Sequence, residues 1–288
     1  MENNIKEKLN LFVEHQTFEI IGEKNPKIKQ IKGILSNTKA NPQKLFIAEG
    51  LWIFNKLNDF HVETLSLFLC MEHIRTHEAF MALTKLSERT KEKYIISSKV
   101  FEKISERDKP DGLLAIAKLP TFKLEEQKFN NKSIILVLDG IEIPGNIGTM
   151  IRMADGTGID AIFICNRRAR LTHPKLIKGS MGAVLTVPIY EFSNIEECDA
   201  WLKLNKFKVY LADTRAEHTY YEEPFGSKTA LVMGSERYGI SRNWYTDDIF
   251  MISIPMLGKC DSLNVGVAAT VLAYEVAMKN KFILERKK

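Results

Sequence analysis

The stretch "LDGIEIPGNIGTMIRMADGTG", residues Leu138 to Gly158, carries the reading of this chain. An apolar run ends in Asp139-Gly140, a Pro144-Gly145 pair follows, and Asn146 opens a segment with helical spacing. Strand, tight loop and helix in that order form the building unit of a parallel α/β sheet. One arginine, Arg152, sits in this helix among Ile147, Met150, Ile151, Met153 and Ala154. A long cation on so apolar a helix either snorkels to solvent or finds a partner. Three readings stand: a phosphate cradle, a structural ion pair, or a catalytic arginine.

Outward from that stretch the alternation is regular. Apolar runs "SIILVLDG", "DAIFICN", "TVPIYEF", "KVYLAD", "TALVMG" and "FMISIPM" read as strands. Helical patterns lie between most of them, and "NVGVAATVLAYEVAMKNK" closes the series. Near-continuous apolar strands alternating with helices predict a buried, mainly parallel sheet. In such sheets ligands sit beyond the carboxyl ends of the strands. That points to residues 139–146, 211–213, 233–239 and 254–264. "GTGIDA", from Gly156, fits a dinucleotide fingerprint only in letters. It ends a helix and enters a strand, so it reads as a C-cap with left-handed glycines. No phosphate-binding G-x-x-x-x-G-K-S/T occurs.

The first 119 residues read as a smaller α/β domain of four short strands and intervening helices, from "NPKIKQIKGILSN" to "GLLAIAKLP". Residues 120–132, "PTFKLEEQKFNNK", are polar, aperiodic and the best linker candidate. The larger domain then runs over 133–288. A length of 288 residues suits two domains.

Composition narrows the class. Apolar residues make up 45% and charged residues 27%, as in ordinary soluble proteins. "MENNIKEKLN" has no apolar core of a signal peptide, and "VGVAATVLA" is too short to cross a bilayer. Cys70, Cys165, Cys198 and Cys260 are far apart, which argues against a zinc site or a disulfide framework. A cytoplasmic protein with reduced thiols, no metal and no membrane contact is expected. The net charge is only +5, yet two windows lack acids altogether. Lys27, Lys29, Lys32, Lys39 and Lys44 fall in the first; Arg167, Arg168 and Arg170 fall in the second. Such windows favour a polyanionic partner.

Within the larger domain Asn146 reads as a helix N-cap or a site residue. "LVMGSERYG" places Gly234, Ser235 and Glu236 where a strand ends, with Gly234 read as making room for a ligand. "ISIPMLGKCDSLNVGVAA" ends a strand at Ile254, turns through Gly258 and enters a helix at Ser262-Leu263-Asn264, where Ser262 or Asn264 suits an N-cap.

Taken together, "NIGTMIR", "MGSERYG" and "IPMLGKCDSLNVGVAA" resemble the three motifs of the SpoU/TrmH branch of the SPOUT methyltransferases. The resemblance runs from about Ser133 to Lys281. The pattern "NPKIKQIKGIL…KLFIAEG" resembles the L30e-like substrate-binding domain that accompanies this branch. "VLDGIEIPGNIGTMIR" is similar to the thiostrepton- and nosiheptide-resistance methyltransferases of ribosomal RNA. Met181 stands where those enzymes carry an arginine, which weakens the drug-resistance assignment; Gly266 stands where serine is frequent, and neither departure threatens cofactor binding.

The resemblance implies a parallel sheet with a deep trefoil knot and S-adenosylmethionine as cofactor. It also implies a homodimer through the C-terminal domain and methylation of a ribose 2′-oxygen, in ribosomal rather than transfer RNA. Transfer RNA methylation and a non-catalytic RNA-binding protein of the same fold are the alternatives. By position, Asn146, Arg152, Glu236, Ser262 and Asn264 match catalytic residues. Leu211, Met233, Gly234, Ile254, Met256 and Leu263 match cofactor contacts.

Overall fold

The computed structural model describes residues 2–36 and 40–282. The chain forms two compact units: residues 1–120 with 172–174, and residues 121–171 with 175–288.

In the first unit the chain runs α1 (Glu2–Glu14), β1 (Glu19–Ile20), α2 (Pro26–Ser36), β2 (Leu45–Glu49), α3 (Leu51–Asp59), β3 (Thr64–Leu69), α4 (His77–Ser87), β4 (Glu92–Ile95), α5 (Ser98–Glu102) and β5 (Leu113–Lys118). The sheet order is β1-β4-β3-β5-β2. β5 is antiparallel to both β2 and β3, whereas β4 is parallel to β3 and β1. Ile28 and Ile31 of α2 pack with Phe68, Phe101, Leu114 and Ile116 in its core. Helix α1 and the two-residue β1 were not anticipated. The helix is mostly polar, but Leu9 is buried and Phe12 meets Phe18 and Phe80 edge-on.

The second unit continues β6 (Ile134–Asp139), α6 (Pro144–Thr157), β7 (Ala161–Cys165), α7 (Pro174–Ser180), β8 (Ile189–Glu191), α8 (Ile195–Leu204), β9 (Lys208–Ala212), β10 (Thr229–Gly234), β11 (Phe250–Ile252) and α9 (Val265–Ala277). All six strands are parallel, in the order β11-β9-β10-β6-β7-β8. β6 and β10 are the central pair, in register from Thr229 opposite Ile134 to Gly234 opposite Asp139. Their apolar residues are buried throughout, as strands covered on both faces require. From β6 the chain steps outward to β8, then returns on the other side of the sheet. The strand order therefore reverses beside β6 and β10, the place where α/β sheets open a crevice.

Three local features fix α6. Pro144 occupies its first turn, where a missing N–H does no harm. Gly158 ends it in the left-handed conformation (φ 66°) and its N–H reaches the carbonyls of Ala154 and Asp155. The C-cap reading of "GTGIDA" thus rests on Gly158 alone, because Gly156 stays inside the helix. Gly148 lets α6 approach α7, since a Cβ there would lie 2.7 Å from the Leu176 carbonyl oxygen.

The segment expected to be a linker does not behave as one beyond Pro120. Phe122, Leu124 and Phe129 pack against the core of the second unit. Phe129 meets Trp201 and Phe207 edge-on at 5.4 and 5.6 Å. These apolar residues are spread among charges, so no period in the sequence announced them. Among the described residues no helix is long and apolar enough to cross a membrane.

Candidate active site

The carboxyl ends of β9, β10 and β11 and the start of α9 surround a cavity of about 380 Å³. Its walls include Met233, Ile252, Ile254, Met256, Leu263, Val265 and Leu272, with Asp213, Arg215, Glu236 and Tyr245 adding polar groups. Apolar walls with a few fixed polar groups are the usual make-up of a small-molecule site.

The turn after β10 is rigid. Ser235 and Gly239 exchange both backbone hydrogen bonds, at 2.9 and 2.8 Å. Ser235 Oγ also accepts from the amides of Arg237 and Tyr238 at 3.3 Å. Gly239 needs its positive φ of 70° to close the turn. The glycine at 234 was expected to make room for a ligand; instead its own chain excludes a side chain. A Cβ there would overlap the carbonyl carbon of Gly239 and the amide of Ile240. Below the turn, the buried Asp139 carboxylate accepts from the Ser241 amide at 2.8 Å and from Asn166 Nδ2 at 2.7 Å. It ties the ends of β6 and β7 to the turn.

Met233, Gly234, Ile254, Met256 and Leu263, matched to cofactor contacts, all line the cavity, and so does Ser262. Leu211 does not. It is fully buried in the sheet core, and the next residue, Ala212, lines the cavity instead. Successive residues of a strand face opposite sides, so a shift of one changes which side chain is presented. Sequence reasoning also missed Arg215, Tyr238 and Tyr245, which line the cavity. The Asp213-Thr214-Arg215 triplet at a strand end was a usable signal. Tyr238 lies inside the "MGSERYG" motif, whereas nothing local marked Tyr245.

Asp213 is nearly buried and accepts from Arg215 Nε and Nη2 at 3.0 and 2.8 Å and from the Tyr245 hydroxyl at 2.6 Å. The Arg215 guanidinium above all, with the Tyr245 hydroxyl, holds its carboxyl well below the usual carboxylate range against the opposing effect of burial.

The three motifs meet at Asn146. The N-cap expectation for this residue is corrected: α6 begins two residues earlier at Pro144, with Ile143 at the cap position. The side chain is therefore free for tertiary contacts. Nδ2 donates to Glu236 Oε1 at 2.6 Å, and Oδ1 accepts from Asn264 Nδ2 at 3.3 Å. Asn264 also caps α9, accepting the Gly266 amide at 2.9 Å. One side chain from each motif thus joins a single hydrogen-bonded row, with Glu236 on the cavity wall.

Arg152 is exposed on α6, does not line the cavity, and has no ion-pair or hydrogen-bond partner among the described residues. The structural ion pair falls away as its explanation. The first basic window is not acid-free in space. Lys27 pairs with Glu92, and Lys32 lies 3.4 Å from Glu23. Lys29 is exposed on α2, Lys44 sits at a turn with φ 54°, and Lys39 lies outside the described residues. In the second window Arg167 lies 3.0 Å from Glu191, Arg168 is exposed and Arg170 is half-buried.

Residues 133–274 match the model of the SpoU rRNA Methylase family, and residues 25–115 match that of the MRM3-like substrate binding domain. A Staphylococcus epidermidis protein named for the TrmH family of tRNA/rRNA methyltransferases is 34% identical over 59% of this chain and 68% of its own length. A Staphylococcus saprophyticus protein of the same naming is 37% identical over 55% of this chain. The chain spans 64% of that relative's length, just under two thirds. RlmP of Bacillus subtilis, a 23S rRNA guanosine 2′-O-methyltransferase, is 29% identical over 64% of this chain and 71% of its own. The crystal structure of an RNA 2′-O ribose methyltransferase superposes with a TM-score of 0.77 at 27% identity, over 91% of this chain and 99% of that one. AviRb of Streptomyces viridochromogenes, a SpoU methyltransferase solved with AdoMet, shares the fold at 22% identity with a TM-score of 0.79, over 89% and 98% of the two chains. With its motifs joined at one site and its sequence matched at this level, the chain belongs to the SpoU/TrmH family of methyltransferases.

Proposed function

We propose that this protein transfers a methyl group from S-adenosylmethionine to a ribose 2′-oxygen of ribosomal RNA. The observation that carries the proposal is the Asn146–Glu236–Asn264 row at the wall of an apolar cavity. The cavity suits the cofactor on its own terms. Its volume is that of a small-molecule pocket, with apolar walls for an adenine and a tight turn at Gly234–Gly239 presenting backbone edges. Met233, Gly234, Ile254, Met256 and Leu263 would hold it, with Ala212 on the same rim.

When bound, the cofactor supplies a methyl on a sulfonium, already a strong electrophile. The protein's task is then to align and activate a hydroxyl, a weak nucleophile until its proton is drawn away. Arg152 is the group for that task. A guanidinium stays protonated, so it acts by binding a neighbouring phosphate and stabilising charge on the oxygen, while water or phosphate accepts the proton. Its lack of a partner among the described residues leaves its donors available. Asn146 and Glu236 orient each other, Asn264 joins them to α9, and Ser262 offers a hydroxyl at the rim.

The N-terminal unit serves RNA binding. Lys27, Lys29, Lys32, Lys39 and Lys44 there, with Arg167, Arg168 and Arg170, would follow phosphates and make affinity fall steeply with salt. A knotted path of the C-terminal segment, a homodimer through the C-terminal unit and a cytoplasmic location accompany this reading. The relationship to RlmP supports ribosomal over transfer RNA. Incubation with methyl-labelled S-adenosylmethionine and unmodified ribosomal or transfer RNA tests it. Label in ribosomal RNA alone is expected; label in transfer RNA alone would reassign the substrate.

A further inference from the structure

Asp213, Arg215 and Tyr245 belong to none of the three motifs, yet all three line the cavity. Every acceptor position of the Asp213 carboxylate is engaged. Oδ1 accepts the Arg215 amide at 2.9 Å and Nε at 3.0 Å. Oδ2 accepts Nη2 at 2.8 Å and the Tyr245 hydroxyl at 2.6 Å. A carboxylate has about four such positions, so none remains for a ligand hydroxyl. Arg215 Nη2 also reaches the Tyr245 oxygen at 3.2 Å, and the guanidinium carbon lies 5.9 Å from the Tyr245 ring centroid. The guanidinium is thereby fixed in plane and direction, while Nη1 has no partner among the described residues and its side chain is 78% exposed. A fixed guanidinium with one nitrogen free can donate a charge-assisted hydrogen bond to a carboxylate.

We infer that Arg215, held by Asp213 and Tyr245, binds the α-carboxylate of the cofactor's methionyl tail and so sets where the sulfonium lies. The inference rests on the reading of the cavity as the S-adenosylmethionine site. The match is one of charge. Arg215 is the one cation among the residues that line the cavity, and the two other charged residues there, Asp213 and Glu236, are acids. The carboxylate is the one anionic group of the cofactor, and Arg215 is the one opposite charge among the lining residues. Asp213 and Tyr245 act through Arg215 as positioning residues.

The test is calorimetric binding of two ligands to the full chain. S-adenosylhomocysteine carries the carboxylate; 5′-methylthioadenosine has the same adenosine and a thioether but no carboxylate. In Arg215→Gln, affinity for S-adenosylhomocysteine should fall about 10-fold or more while that for methylthioadenosine is unchanged. Arg215→Lys, which keeps the charge and loses the fork, should recover part of the loss. Tyr245→Phe, which removes one support, should weaken S-adenosylhomocysteine alone and to a smaller extent. Equal binding of S-adenosylhomocysteine by wild type and Arg215→Gln would overturn the inference. So would an equal loss of both ligands, which would make the cluster only a brace for the loop. A wild-type protein that binds neither ligand would instead refute the cofactor reading beneath it.

Discussion

Asn146 Nδ2 donates a 2.6 Å hydrogen bond to Oε1 of Glu236, a residue 90 positions further along the chain. The bond joins the first turn of α6 to the turn after β10 and so couples the helix that carries Arg152 to the wall of the cavity. Its strength comes from an ionised acceptor, which makes such bonds shorter and roughly twice as strong as neutral ones.

If the pair works as a unit, its two halves should not be independent. Asn146→Ala and Glu236→Ala are each expected to lower kcat/KM for methyl transfer about 10- to 100-fold, and the double variant should be little worse than the poorer single. Steady-state kinetics on the three variants measures this. Losses that multiply would show that the residues act separately.

Removing Arg152 should leave the fold untouched, because the side chain is exposed and unpartnered among the described residues. Arg152→Ala is expected to lower kcat by about 100-fold or more, with stability within about 0.5 kcal/mol of wild type. Activity and urea unfolding, measured on one preparation, separate the two effects. An active Arg152→Ala variant would remove this residue from the chemistry.

Gly234 makes the opposite case, a site residue whose loss is structural first. A Cβ would overlap Gly239 and Ile240, so the turn that presents Glu236 must shift. Gly234→Ala is expected to cost about 1–3 kcal/mol of stability, the range for overpacking a tight site, and to weaken S-adenosylhomocysteine binding with it. Chemical denaturation alongside calorimetry checks both; unchanged stability would place the steric argument in error.

The Asp213 carboxyl, held low by Arg215, carries a pH signature. Its folded pKa lies below the unfolded value of about 3.9, so its stabilisation is complete above about pH 5 and is lost as pH falls through and below the unfolded value. Asp213→Asn has no such proton to take up. Between about pH 5 and 3 its unfolding temperature should therefore fall less steeply than that of wild type. Parallel profiles would mean that the ion pair does not stabilise the fold.

Much of this was legible in the sequence because the physics is local. The buried strands around "SIILVLDG" and "TALVMG" announced a parallel sheet, and its strand ends directed attention to the cavity-forming loops. The three motifs placed Asn146, Glu236 and Asn264 in one site once their family resemblance was recognised. What the sequence hid depended on distant partners. Asn146 looked like a cap because only the structure shows the helix starting at Pro144. Gly234 looked like a glycine kept to clear space for a ligand, because the chain that crowds it, Gly239 and Ile240, folds back out of sight of any pattern. Arg215 and Tyr245 lie 30 positions apart and meet each other and Asp213 only in the fold. The lysines of the first basic window looked unopposed until Glu23 and Glu92 were seen beside them.

The central claim is the atom that receives the methyl group. Ribosomal RNA labelled by the protein with S-adenosylmethionine can be hydrolysed in alkali, which spares the bond next to a methylated ribose oxygen. The account predicts that the label remains in resistant dinucleotides and is absent from mononucleotides. Label recovered in mononucleotides would place the methyl on a base and contradict it.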